Sequence, residues 1–162
     1  MITLRNIILS YCFTLSVCIA FISCDTIDLY EKIDSIPGHE WSSAYKPQFN
    51  FTIKDTTASY QLFITLRHNE RYAFNNIWLN LQAQSPGSAA QQFLIELPLA
   101  SADKGWLGNG MDDLYDHRIP ITLDPQKLNF KKGGEYMFTI EHVMREDPLQ
   151  NIMNVGLRLE KK

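Results

Sequence analysis

The chain has 162 residues, a formal net charge of −3, and 45% hydrophobic side chains. This length and composition suit one folded domain with its own core. The basic residues form no run of the kind that binds nucleic acid, so we expect no nucleic-acid partner.

The first 23 residues have the organisation of an export signal. Arg5 precedes an apolar stretch over residues 7–22, which is shorter than the roughly 20 residues of a membrane span. The stretch ends in FISC, which resembles a bacterial lipobox except that Phe21 stands where leucine is commonest. This resemblance implies a signal peptide over 1–23, cleavage before Cys24 and lipidation of Cys24. The alternative is an uncleaved anchor helix, and either way the folded part is held at a membrane.

Residues 24–47 are polar and interrupted by turn signals such as Pro37-Gly38. We predict a lipidated tether that leads into a first short segment, with Tyr30 and Trp41 packed on the domain body. The three cysteines all lie in the first 24 residues. Cleavage would leave Cys24 as the one cysteine of the mature chain, so no internal disulfide is expected.

From residue 48 onward, apolar and polar residues alternate in seven short runs. In QFNFTI, for example, Phe49, Phe51 and Ile53 alternate with polar residues. The other runs are YQLFITLR, NIWLNLQAQ, QFLIELPL, HRIPITL, EYMFTIEHV and NVGLRLEK. Such runs, separated by Gly, Pro, Asn and Asp, indicate antiparallel strands with one apolar face. We predict an all-β fold in which residues 48–162 form a single antiparallel β-sandwich domain of jelly-roll-like type.

Two connections differ from tight turns. SPGSAA is predicted to be a hairpin loop, and residues 100–118 form a long connection rich in glycine and aspartate. Asp103, Asp112, Asp113 and Asp116 are hard oxygen donors of the kind that bind Ca²⁺, but their spacing matches no calcium-loop motif. We therefore favour a short helical turn capped by Asp112 or Asp113 over a metal site.

The sequence does not support an enzyme. Its four histidines, at positions 39, 68, 117 and 142, are spread over different elements without metal-ligand spacing, and we expect each at the surface or in a loop. Lipidation would remove Cys24 as a nucleophile, and a carboxylate pair such as Glu96 and Glu141 arises easily by chance. We expect neither a catalytic residue nor a metal or other cofactor.

The position of Trp78 raises the main alternative function, which is glycan binding. It lies on the parity opposite Ile77 and Leu79, so it either faces outward as a binding platform or packs under a further layer. Because large aromatic side chains are mostly buried, we favour packing. If exposed, the ring serves a protein partner or a glycan, and the second case would make this a glycan-binding lipoprotein with a carbohydrate-binding sandwich.

Several stretches together resemble the gliding motility lipoprotein GldH family of Bacteroidota. They are LRHNERYAFNNIWL, IELPLASADKGWLGNGMDD and EYMFTIEHVMREDPLQNIMNVGLRLEK, and the likeness covers nearly all of the predicted mature chain. The resemblance implies a noncatalytic envelope lipoprotein, anchored in the outer membrane and facing the periplasm. It also implies support of gliding and type IX protein secretion through contacts with other gliding or secretion components. Within the matching stretches we expect interface roles for Arg67, Trp78, Trp106 and Arg145.

One further site follows from this resemblance. Asp55-Thr56-Thr57 is similar to the Asp-Ser/Thr-apolar sites at which Bacteroidota glycosylate exported proteins, and it lies in a predicted turn. Thr56 is therefore a candidate for O-glycosylation.

Overall fold

The computed structural model describes residues 29–162; the predicted signal peptide and Cys24 lie outside the described residues. Within this part, no helix is long and apolar enough to cross a membrane, and the helical element is a short 3-10 turn at Pro37–His39. Thirteen strands follow one another: β1 (Leu29–Ser35), β2 (Glu40–Trp41), β3 (Gln48–Ile53), β4 (Tyr60–Asn69), β5 (Asn76–Gln84), β6 (Gln91–Pro98), β7 (Ala100–Ser101), β8 (Gly105–Trp106), β9 (Asn109–Met111), β10 (Leu114–Ile121), β11 (Gly134–His142), β12 (Leu149–Gln150) and β13 (Ile152–Lys161).

The long strands form two antiparallel sheets. One has the order β1-β13-β4-β10-β9 and the other the order β3-β11-β5-β6. Numbered 1 to 8 along the chain, the eight long strands are ordered 1-8-3-6 and 2-7-4-5, the arrangement of a jelly roll. The predicted all-β sandwich is confirmed. Each of the seven predicted runs is one of these strands, and SPGSAA is the hairpin between β5 and β6.

The sandwich has a core because most of its long strands alternate buried and outward side chains. On β3, Phe49, Phe51 and Ile53 are buried between exposed polar residues. Phe51 stacks on Tyr136 and Phe138 of β11, with ring centroids 5.9 and 5.5 Å apart. Each such ring pair contributes about 1 kcal/mol beyond the burial of its area.

Residues 29–47, which the sequence assigns to a tether and a first short segment, contain two strands of the fold. β1 pairs with β13 along its whole length, starting with Leu29 opposite Glu160. The side chains of β1 show no clear alternation of buried and exposed positions, so the strand is held mainly by its backbone hydrogen bonds to β13. Trp41 is fully buried, and its Nε1 donates to the Tyr45 carbonyl at 2.9 Å.

The long connection over residues 100–118 is built from short ladders and the start of β10. β7 pairs with β8, and β9 pairs with β10. Asp112, with φ of 56°, and Asp113 form the turn between β9 and β10. The predicted helical turn capped by these aspartates is wrong, because pairing with both β4 and β9 draws Leu114–Ile121 into an extended strand.

Candidate functional site

Trp78 projects from the outer face of the four-stranded sheet. Its neighbours on β5, Ile77 and Leu79, are fully buried, whereas Trp78 is 37% exposed. The interpretation that Trp78 packs under a further layer is wrong, because this side of β5 is open to solvent. Among residues 29–162, Trp78 is the one exposed side chain of the Phe, Tyr and Trp residues.

Trp78, Leu94 and Val143 form an exposed apolar group, here called the tryptophan patch. Leu94 and Val143 are 65% and 42% exposed. The Val143 N–H donates to the Trp78 carbonyl at 2.9 Å, which attaches the chain after β11 to β5. Leu94 lies on β6 opposite Asn80, one diagonal step from Trp78 and within reach of a large side chain. The strands therefore fix the relative positions of the three side chains.

Arg145 is two residues after Val143 of the tryptophan patch in the sequence. The Trp78 N–H donates to Sδ of half-buried Met144 at 3.2 Å, so the segment leading to Arg145 is held against β5. Arg145 is exposed and forms no ion pair with any of residues 29–162. The backbone of Arg145, one of the expected interface residues, thus lies next to the segment that contacts Trp78, another of them.

Uncharged amide side chains surround the tryptophan patch on the outer face of this sheet. They are Asn80, Gln82, Gln84 and Gln92. Charged side chains also border the patch: Glu96 stands opposite Trp78 and accepts a hydrogen bond from Asn76 Nδ2 at 2.5 Å, and Glu141, opposite Asn80 on β11, pairs with Lys46 Nζ at 2.8 Å. An apolar aromatic centre with a polar border is the usual composition of a protein-binding surface.

Arg67 lies on the outer face of the opposite, five-stranded sheet. Its Nε and Nη2 donate to the two carboxylate oxygens of Asp116 at 2.6 and 2.7 Å, and this contact raises the pKa of Arg67. Both side chains are more than 40% exposed, so the pair contributes less than about 1 kcal/mol. The thickness of the sandwich separates Arg67 from the tryptophan patch.

A groove of about 360 Å³ runs past Arg67 over the same sheet. Arg158, on β13, donates to both Glu31 and Glu160. Gly156 lets β13 approach β1 closely, because a Cβ there would lie 2.7 Å from the Lys32 carbonyl oxygen. Acidic neighbours balance the arginines of the groove, so its charge does not favour an anionic ligand.

Trp106 covers a buried histidine pair. Its half-buried ring lies 4.4 Å from the ring of His68, measured between centroids. His68 Nε2 is 2.9 Å from His117 Nε2, and Tyr72 and Tyr115 also pack on the His68 ring. In this structure Trp106 therefore covers an aromatic cluster at the end of β4 and the start of β10.

The prediction that every histidine lies at the surface or in a loop is wrong for three of the four. His68, His117 and His142 occupy inward positions of β4, β10 and β11 and are at most 5% exposed. Burial lowers the pKa of each imidazole because the charged form is poorly solvated there. For His117 the neighbouring His68 adds to this effect, and its pKa falls to about 4.

The acidic side chains of the long connection do not converge. Asp112 and Asp113 lie in a hairpin turn, Asp116 binds Arg67, and Asp103 lies in the turn between β7 and β8. Over residues 29–162, no group of three His, Cys, Asp or Glu side chains is placed as ligands of one metal ion.

Thr56 lies in the turn 54–59 that leads from β3 in one sheet to β4 in the other. Asp55 organises this turn: its Oδ1 accepts from both the N–H and the hydroxyl of Thr57, at 3.0 and 2.7 Å. Its Oδ2 pairs with Lys161 Nζ at 2.9 Å. These contacts hold the pKa of Asp55 well below its usual range.

The fold and these surfaces define the class of protein. The described part is an antiparallel jelly-roll domain that presents an apolar patch on one sheet and a charge-balanced groove on the other. The chain belongs to the GldH lipoprotein family, whose model matches residues 28–159.

Two relatives cover nearly the full length. The gliding motility lipoprotein GldH of Flavobacterium johnsoniae is 29% identical over 151 residues, which span 89% of this chain and 91% of the relative. A homologue named after it in Christiangramia forsetii is 29% identical over 150 residues, 88% of this chain and 90% of the relative. Among solved structures, the VP2 subviral particle of infectious bursal disease virus aligns with 82% of this chain and 30% of its own. Its TM-score of 0.30 and 14% identity are too low to support any conclusion.

Proposed function

We propose that this chain is a noncatalytic envelope lipoprotein that supports gliding motility and type IX protein secretion through protein–protein contacts. Membership of the GldH family and the names of both relatives support the motility role. The finer assignments are an outer-membrane location facing the periplasm and contacts with other gliding or secretion components.

The anchor in this proposal is an acylated Cys24. Four residues separate it from Leu29, the first residue of β1, so acyl chains on Cys24 would hold the sandwich close to a membrane. Two or three acyl chains give stable attachment where one does not. The lipobox-like FISC sequence supports this assignment.

The tryptophan patch is the proposed contact surface, and its exposure is the observation that carries the proposal. An exposed Trp beside an exposed Leu is uncommon on a surface that meets water alone, whereas Trp is enriched among residues that dominate binding energy. β6 is also the outermost strand of its sheet, so an extended partner segment has a free edge beside Leu94.

The proposal is tested by a double variant, Trp78→Ala with Leu94→Ser, in native-host cells that lack the wild-type gene. We expect this variant to fold but to lose at least half of the gliding speed or type IX cargo secretion. The matched control is Met111→Ala, because Met111 is 71% exposed and lies on the other sheet. Full function in a folded double variant would contradict the proposal.

A glycan-binding lipoprotein is the second candidate, favoured by the amide side chains around Trp78. Sugar platforms usually combine such groups with several exposed Trp, Tyr or Phe rings, whereas Trp78 is the one exposed ring of these three types among residues 29–162. Retention of the protein on envelope polysaccharide, lost in Trp78→Ala, would favour this function over the protein-contact proposal.

A further inference from the structure

Six lysines gather at one end of the sandwich, here called the lysine end. It consists of the turn 54–59, the hairpin 85–90, the connection 122–133 and residues 161–162. These segments contact one another: the Lys162 N–H donates to the Ser59 carbonyl at 2.8 Å, and Lys132 Nζ donates to Ser88 Oγ at 3.2 Å. Tyr136 ties the connection to β11 by donating to the Lys132 carbonyl at 3.0 Å.

The two ends of the sandwich carry opposite charge. The lysine end has six lysines and two aspartates, a formal charge of +4, and all six lysines are exposed: Lys54, Lys127, Lys131, Lys132, Lys161 and Lys162. The opposite end consists of residues 36–47, 70–75, 99–113 and 143–151. It has seven acidic and four basic side chains, a formal charge of −3 with neutral histidines. Although the net charge of the chain is only −3, its charges are unevenly distributed, and the domain has a dipole along its length.

The lysine end is also the end at which the proposed anchor enters. Leu29 pairs with Glu160, the neighbour of Lys161. Five residue steps separate Cys24 from Leu29, and a fully extended chain spans at most about 18 Å over that distance. Leu29 is itself 52% exposed and adds an apolar side chain to this end. The connecting segment also contains Asp25 and Asp28, which lower the formal charge at this end from +4 to +2 when they are counted with it.

We propose that the lysine end docks on an anionic phospholipid surface and so fixes the orientation of the domain on its membrane. This inference rests on the proposed lipidation of Cys24, which supplies the proximity. Each lysine near an anionic surface favours the docked state by about fivefold. Docking in this way turns the acidic end away from the lipid and leaves the tryptophan patch, on the side of the sandwich, open to a partner.

The test measures orientation, because an acylated chain binds vesicles in any orientation. With Cys24 acylated, a single added cysteine is the one free thiol of the mature chain. Ala89→Cys labels the lysine end and Ala102→Cys the opposite end, and both positions are exposed. The fluorophore on each is quenched by a nitroxide lipid labelled at its headgroup, in vesicles with 30% phosphatidylglycerol or with phosphatidylcholine alone.

We expect quenching at position 89 to exceed quenching at position 102 at least threefold in the anionic vesicles. The difference should vanish in neutral vesicles and in 0.5 M NaCl, which screens such contacts. The triple variant Lys127→Gln, Lys131→Gln, Lys132→Gln should reduce the ratio of docked to undocked protein about a hundredfold. The matched control, Lys46→Gln, Arg71→Gln, Lys104→Gln, removes three cations from the other end and should change nothing.

Equal quenching at both positions in anionic vesicles, or a difference that survives the triple variant, would overturn the inference. The intact mass of the same protein shows separately whether Cys24 is acylated. A domain that is acylated but not oriented would refute the docking of the lysine end and leave the proposed anchor standing. If the chain is not acylated, sedimentation with the same vesicles tests whether the lysine end binds anionic lipid. Salt-sensitive binding that the triple variant weakens supports docking, and absence of binding refutes it.

Discussion

His68 and His117 are joined by a hydrogen bond between their Nε2 atoms, 2.9 Å apart in the interior of the sandwich. His68 Nδ1 lies 2.7 Å from the Asn69 carbonyl, which can only accept, so Nδ1 carries the proton of His68. His68 Nε2 is then the acceptor, and His117 Nε2–H is the donor. Both rings are neutral in this arrangement, and protonation of His68 Nε2 would place two donors face to face.

Acid should therefore destabilise the fold through these histidines. The pKa of His117 is 6.5 in the unfolded chain and about 4 in the folded protein. The stabilisation that comes from keeping His117 neutral is therefore complete above pH 6.5 and is lost as the pH falls toward 4. Between pH 7.5 and 4.5 we expect the free energy of unfolding to fall by about 2 to 3 kcal/mol from His117. Urea denaturation at the two pH values measures this difference in the free energy of unfolding.

His117→Gln provides the comparison, since it keeps a donor for His68 but does not titrate. It should lower stability at pH 7.5 and show a smaller loss between the two pH values. An equal loss in both proteins would mean that other groups, such as the carboxylates, cause the acid sensitivity.

Gly156 should tolerate no side chain. A Cβ at this position would lie 2.7 Å from the Lys32 carbonyl oxygen of the paired strand β1 and still closer to Thr65 Oγ1. We expect Gly156→Ala to reduce the free energy of unfolding by about 2 to 3 kcal/mol. Gly133→Ala is the control, because its Cβ would meet atoms at 3.7 Å or more, and a change below about 1 kcal/mol is expected. Similar losses in the two variants would contradict the role of the close strand contact.

Arg158 should matter more for stability than Arg67. The Arg158 side chain is 18% exposed and bonds to two carboxylates, whereas Arg67 is 42% exposed and bonds to one. We expect Arg158→Met to cost about 1 to 2 kcal/mol and Arg67→Met less than about 1 kcal/mol. Denaturation midpoints at low salt measure both, and the reverse order of the two losses would show that burial does not govern these ion pairs.

O-glycosylation at Thr56 predicts a mass increment in protein from the native host. The increment should disappear in Thr56→Ala and remain in Thr57→Ala, since the Thr57 hydroxyl is already bonded to Asp55. A chain of unmodified mass would end the proposal. A glycan at Thr56 would stand within the lysine end, so the vesicle experiment uses Thr56→Ala if the increment is found.

Much of the fold could be predicted because most strands of this sandwich, including the edge strand β3, alternate apolar and polar side chains. Leu62, Ile64 and Leu66 alternate with polar or aromatic residues and are buried on β4. The same parity extends to His68, so the buried histidine could have been found by continuing the alternation. Spacing rules for metal ligands did not detect it, since its partner His117 is distant in sequence.

Other features leave little trace in sequence. β1 is an edge strand whose pairing depends on backbone groups that every residue carries, and its LYEKIDS sequence reads as polar. The exposure of Trp78 depends on whether a further layer covers the outer side of β5, which parity alone does not reveal. The lysine end unites segments more than 100 residues apart, so it becomes visible as a cluster once the topology is known.

The most direct test of the proposed function is in-cell crosslinking of tagged protein in its native host, followed by mass spectrometry. Three proteins are compared: wild type, Cys24→Ala and the Trp78→Ala, Leu94→Ser double variant. We predict that wild type enriches gliding or type IX secretion components, and that loss of the anchor or of the tryptophan patch abolishes this enrichment. If wild type enriches no such component and is instead retained on envelope polysaccharide, the protein-contact proposal is contradicted.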